Sequence, residues 1–166
     1  VFGKFVNDFR AFTAELGASV QRSRFDLEEM GASVQDLFVP LGFSRKEATE
    51  MSKTLTKLAV DVASFNNAQD IPTMKAFQSA LVGNHESVQR FGIIINEVTL
   101  KNELLRMGIQ GAAKDATVQQ KTMARLNLIL AGTKDAHGDA AKTANSFTNA
   151  SKGSAAAIAD LAREIG

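Results

Sequence analysis

The chain has 166 residues, 45% of them hydrophobic and 22% charged, with 19 Lys and Arg against 18 Asp and Glu. That length suits one domain with a real core, and the near balance of charge leaves no global basic field, which disfavours nucleic acid as the main partner. The absence of cysteine excludes disulfides, thiolate zinc sites and cysteine nucleophiles, and no run approaches the about 18 apolar residues of a membrane span.

The chain begins with Val1 rather than methionine and reads as a piece of something longer. From there the apolar spacing is helical. Phe2, Phe5, Phe9, Phe12 and Leu16 recur three and four residues apart, a seam that wants a partner helix and is a candidate for self-association. Leu27, Met30, Val34, Leu37 and Leu41 repeat the alternation. Between the runs lies a short repeat, Gly17-Ala-Ser-Val-Gln21 and Gly31-Ala-Ser-Val-Gln35, whose offset of fourteen residues is two heptads and puts Val20 and Val34 on nearly one helical face. Chance similarity in a helix-rich, small-residue sequence is the alternative, since two copies fall short of the three that repeat architectures need.

Val39-Pro40-Leu41-Gly42 breaks this helix. Ser44 and Glu47 then have capping-box spacing, with Phe43 and Ala48 as a hydrophobic staple, and the helix they open carries Met51, Leu55, Leu58, Val62 and Phe65 to an end near Asn66-Asn67. Asp70 is placed to cap the next helix, with Pro72 in its first turn; Met74, Phe77, Ala80 and Leu81 form its buried face and Gly83 ends it. Asn84 starts a short helix to Phe91-Gly92. Ile93-Ile94-Ile95 reads as a buried extended connection into a helix capped by Asn96 and carrying Val98, Leu100, Leu104, Leu105 and Met107 as far as Gly108. Thr117 and Gln120 form another capping box, opening a helix with Met123, Leu126, Ile129 and Leu130 on its apolar side. From Asp139 alanine, serine, threonine and asparagine dominate, which favours a helix with little to pack. The expected fold is all-α: a folded multi-helix region over residues 1–137, leading into a long, thin Ala/Ser/Thr-rich C-terminal helix over 138–166, the start of an extended rod.

The stretch Gly132-Thr-Lys-Asp-Ala-His-Gly-Asp-Ala-Ala-Lys-Thr143 looks like chemistry but lacks its geometry. Five residues separate Gly132 from Gly138, and Asp139 stands where a phosphate loop needs its lysine. Asp135, His137 and Asp139 alternate, so only a loop gathers them on one cation. A helix stop at His137-Gly138 with Asp139 as the next N-cap explains the same residues. His85, beside Glu86, has neither a serine-centred elbow nor a paired carboxylate in sequence, and reads as a solvated surface group. The residues therefore point to no catalytic site, no metal and no cofactor.

The order of several short blocks is more informative. Leu41-Gly-Phe-Ser44, Met51-Ser-Lys-Thr-Leu55, Ala63-Ser64-Phe65-Asn66-Asn67, Ala80-Leu81-Val-Gly83, Arg90-Phe91-Gly92-Ile93, Arg125-Leu-Asn-Leu-Ile-Leu130 and Gly138-Asp139 follow one another ahead of a Ser/Thr/Asn-rich segment. Over residues 36 to 150 this succession resembles the tail length tape measure proteins of tailed bacteriophages and prophages. The resemblance implies a non-enzymatic, mainly helical structural protein with coiled-coil character, in several copies inside the lumen of the tail tube. It would set tail length during assembly in the host cytoplasm, belong to the virion, and leave ahead of the genome during ejection. Its implied partners are itself, as a homo-oligomer such as a trimer, the tail-tube and tail-tip or baseplate proteins, and the host envelope on ejection, with no specific nucleic acid. The rival expectation from the residues is a stand-alone helical binding module, an adaptor or chaperone, whose amphipathic helices grip a partner helix.

Overall fold

The computed structural model describes residues 2–111 and 113–144, together with Ala156, Asp160 and Arg163. The fold is all-α; no described residue lies in a strand. Two compact units divide the chain, the first made of Val1–Met74 with Ala136–Gly166 and the second of Lys75–Asp135. The sequence reading instead runs one folded region from residue 1 to 137. The long C-terminal helix falls on residues that, apart from the helical Ala156, Asp160 and Arg163, lie outside those described.

The first unit is built on α1 (Val6–Val20), α2 (Arg24–Phe38) and α3 (Arg45–Phe65). The continuous helix implied by the Val20–Val34 periodicity is not formed. Gln21 takes the left-handed conformation at φ 56, and the Ser23 hydroxyl accepts from the Asp26 amide to start α2. Ser23 with an acid three residues on is a capping signal that the apolar spacing masks. The chain reverses there, so the first seam finds its partner in the second run of the same chain. Phe2, Phe9 and Leu16 are buried, Phe5 and Phe12 half-buried, and the Phe2 and Phe9 rings stack at 4.1 Å.

The two glycines of the short repeat make this reversal close. A Cβ on Gly17 would stand 2.7 Å from the Arg22 carbonyl oxygen, and one on Gly31 would stand 1.9 Å from the Phe9 ring. Val20 and Val34, three residues further on in each copy, are both in the core, with Leu27, Met30, Phe38, Leu55 and Val62. A polar thread runs through it: the buried Gln35 amide donates 3.4 Å to Thr49 Oγ1 and accepts at 3.3 Å from Ser52 Oγ.

Local signals set most of the remaining boundaries. Ser44 and Glu47 form the reciprocal capping box of α3, Phe43 and Ala48 are both buried, and Asn67 ends the helix in the left-handed region at φ 53. Helix α4 (Asp70–Leu81) contains Asp70 as its first residue, so this carboxylate lies one position inside the expected cap and is engaged elsewhere. After Leu81, Gly83 at φ 111 lets the Asn84 amide reach back to the Ser79 carbonyl at 2.9 Å.

In the second unit a 3-10 turn, Glu86–Phe91, ends at Gly92. Ile93 and Ile95 are buried while Ile94 is 65% exposed, the alternation of an extended connection. Asn96 and Thr99 cap α5 (Glu97–Arg106) reciprocally, and Thr117 and Gln120 do the same for α6 (Val118–Gly132). Leu100, Leu104 and Ala124 form a core with Met107, Ile109 and Ala116 packed against it. Val98 and Leu105, placed in the same stripe by sequence, face outward at 66% and 48% exposure, because that stripe is wider than the face α6 covers. The last helix, α7 (Asp139–Lys142), returns to the first unit.

Gly31→Ala should lower the unfolding free energy by about 1–3 kcal/mol, the usual cost of overpacking, despite the better helix propensity of alanine. Denaturant titration of the parent and the variant checks this; equal stability would show that the Phe9 ring yields freely.

Candidate functional site

The sequence that most resembles a site, Gly132 to Thr143, is held by a carboxylate from another helix. Asp61 sits in the run Ala59-Val60-Asp61-Val62-Ala63 of α3 and is 2% exposed. Its Oδ2 accepts from the Gly138 amide at 2.9 Å and from Lys57 Nζ at 3.0 Å, and its Oδ1 accepts from the Ala140 amide at 3.3 Å. Asp61 thus caps α7 from 77 residues away, and Gly138, at φ 83, is the residue that turns its amide toward it. The expected stop at His137-Gly138 with Asp139 as N-cap is corrected on both points. Helix α6 stops at Gly132, and Asp139 is the first residue of α7, its carboxylate receiving the Ser64 hydroxyl at 2.7 Å. Ser64 Oγ also lies 3.1 Å from Thr143 Oγ1.

Asp135 and His137 are exposed while Asp139 is turned to Ser64, so the three do not converge. Among the described residues, no three His, Cys, Asp or Glu side chains are placed to share a metal ion, and no helix is long and apolar enough to cross a membrane.

The other family-motif residues mark element ends. Phe65 is 53% exposed at the end of α3, where the Asn66 side chain donates to the Val62 carbonyl at 2.9 Å. Leu81 is buried beside Gly83 at the end of α4, and Phe91 meets Phe77 edge-on at 6.2 Å with the Arg90 guanidinium 4.7 Å over its ring. Gly92 takes φ 79. Blocks separated in sequence are joined within each unit, Ser64 to Asp139 in the first and Arg125 to the Leu81 carbonyl, at 3.2 Å, in the second.

The first unit also contains a cleft of about 470 Å³, lined by Arg22, Asp26, Leu27, Met30, Asp70 and Ala156 among others. Its floor is the buried Arg22, which donates from Nε to Asp70 Oδ2 at 2.6 Å and from Nη1 to the Val20 carbonyl at 2.9 Å. The cation thus meets the C-terminal end of α1 and the anion stands in the first turn of α4, each at the helix end its charge favours. At the rim the Arg163 guanidinium pairs with Asp26 at 2.9 Å, and Ser23 donates to Asp160. Charges matched to one another over apolar walls suit binding or packing rather than proton transfer.

Two polar groups stand out in the second unit. Glu103 is held below the usual carboxylate range chiefly by its hydrogen bonds from Arg106, with the Asn127 amide adding to the effect at 3.0 Å. His85 is not the solvated group expected of it: it is half-buried, and its Nε2 accepts from Arg125 Nε at 3.1 Å. The sequence does not single out Asp61 or Arg22, and it places Arg125 in a motif block without indicating its contact with His85. For Asp61 a signal existed, an acid flanked on both sides by valine and alanine, and for Arg125 a similar one, a cation between Met123-Ala124 and Leu126; Arg22 lies in a polar stretch with no such contrast.

Asp61→Ala should destabilise the first unit by about 1–3 kcal/mol for each buried amide left without an acceptor, and hydrogen exchange at Ala140 should accelerate first. Asp61→Asn, which keeps one acceptor, should lose less. Equal protection of Ala140 in all three proteins would remove the capping role. No family model, no curated protein and no solved structure matches the chain.

Proposed function

We propose that the chain is a segment of a tail length tape measure protein of tailed bacteriophages or prophages, with a structural rather than catalytic role. The observation that best supports the reading is the meeting of two of its motif blocks: Ser64, of Ala63–Asn67, donates to Asp139, of Gly138-Asp139, across 75 residues. Two of the short blocks whose order carries the resemblance are in this way used to fix where the chain turns. In the same reading the protein associates with itself and with tail-tube and tail-tip proteins, in the virion lumen after assembly in the host cytoplasm. A helix advances about 1.5 Å per residue, so a long helical protein converts gene length linearly into distance. The described part is folded, and in this proposal it serves as an anchor while an extended segment elsewhere in the full protein measures.

The Phe2 to Leu16 seam packs largely within the first unit, so self-association has to use other surfaces or the half-buried Phe5 and Phe12. A second reading, a helical partner-binding module, is favoured by one observation: Val82, Ile94, Val98, Leu105 and Val118 of the second unit are each 48% exposed or more.

An in-frame deletion within the extended part of the full protein should shorten tails by about 1.5 Å per residue removed, measured in electron micrographs. Tails of unchanged length would overturn the ruler reading and leave the binding module.

A further inference from the structure

We propose that His85 and Arg125 form an acid-released clamp that holds the Glu86–Phe91 turn against α6 within the second unit. His85 is the residue from which this turn starts. Its Nε2 lies 3.1 Å from Arg125 Nε, and Arg125 Nη1 also donates to the Leu81 carbonyl at the end of α4, at 3.2 Å. Gly83, at φ 111, carries the chain beneath the guanidinium, and a Cβ there would stand 3.6 Å from Nη2. One arginine therefore joins the last carbonyl of α4, the tight turn that follows it and α6.

The chemistry of the pair makes it a switch. Arginine has five donors, no acceptor and a permanent charge, so the contact requires a lone pair on His85 Nε2 and exists only with the neutral imidazole. Protonation of that nitrogen sets N–H against N–H and places two cations side by side. Among the described residues no carboxylate pairs with either group to absorb the added charge. From α6 the facing charged group is Arg125, from α4 there is only the Leu81 carbonyl, and Glu86 and Arg90 on the turn itself are exposed. Burial first, and the Arg125 charge second, push the imidazole below its ordinary value of 6.5.

The sign follows from linkage. With the folded value depressed, the unfolded chain binds the proton first, so the stabilisation is complete above pH 6.5 and is lost as pH falls through the folded value. Acidification should loosen the turn locally. The clamp does not depend on the structural role proposed above.

The test is a pH titration of the whole chain by NMR, following the His85 imidazole and the exchange of the Val88 and Gly92 amides, corrected for intrinsic rates. His85 should titrate below 6.5, and exchange in the turn should rise on acidification by about tenfold for each unit by which the imidazole is depressed. His85→Gln, whose side-chain carbonyl accepts from Arg125 at any pH, should abolish the rise, and Arg125→Gln should move the His85 titration upward. Titration of His85 at or above 6.5 in the parent, an unmoved titration in Arg125→Gln, or the same acid response in His85→Gln would each overturn the clamp.

Discussion

A buried carboxylate cannot remain in an apolar helix face without partners, and the fold of the first unit turns on how Asp61 finds them. Lys57 lies one turn earlier on α3, but the amides of Gly138 and Ala140 come from the far side of a long excursion. Because isolating such a charge costs several kcal/mol, the chain that leaves after Met74 has to come back to α3 at Ala136. Ser64 and Asp139 reinforce the return one turn further along. In chain order the second unit is thus an insertion between two parts of the first, and loop-closure entropy, which grows only slowly with length, permits an insertion of that size.

The three long helices solve a different problem, that of bringing two backbones close enough to share one layer of aromatic rings. Gly17 and Gly31 remove the Cβ atoms at the two places where the reversal at Gln21 leaves no room, and the stacked Phe2 and Phe9 rings fill what is left. The short repeat is therefore neither a heptad continuation nor an accident of composition in its effect. Each copy supplies a glycine for contact and a valine for the core.

Features encoded within a few residues were legible from sequence: the capping boxes at Ser44 and Thr117, the cap at Asn96, the stops at Gly83 and Gly92, and the extended connection Ile93 to Ile95, although Ile94, expected buried with its neighbours, faces out. Features that join distant residues were not. The Arg22 to Asp70 pair spans 48 residues and the Arg125 to His85 contact 40, and no periodicity reports either. The break at Gln21 was hidden differently, since a strong apolar rhythm on both sides of Ser23 outweighed a three-residue capping signal. At Val98 and Leu105 the rhythm itself misleads, because an apolar residue at helical spacing is buried only if another element covers that side.

The discontinuity of the first unit also has a consequence in time. A ribosome releases Asp61 long before Gly138 and Ala140, which follow 77 and 79 residues later. At synthesis rates of about 5–20 residues per second that gap lasts roughly 4–16 s. For that interval the three N-terminal helices are all made, yet their buried acid has only Lys57 beside it. The inserted unit, whose residues emerge together, can finish folding first. The segment encoded in the middle of the chain can thus be ready before the one encoded at its start, and the acid of the nascent α3 stays hydrated until the returning stretch of chain arrives.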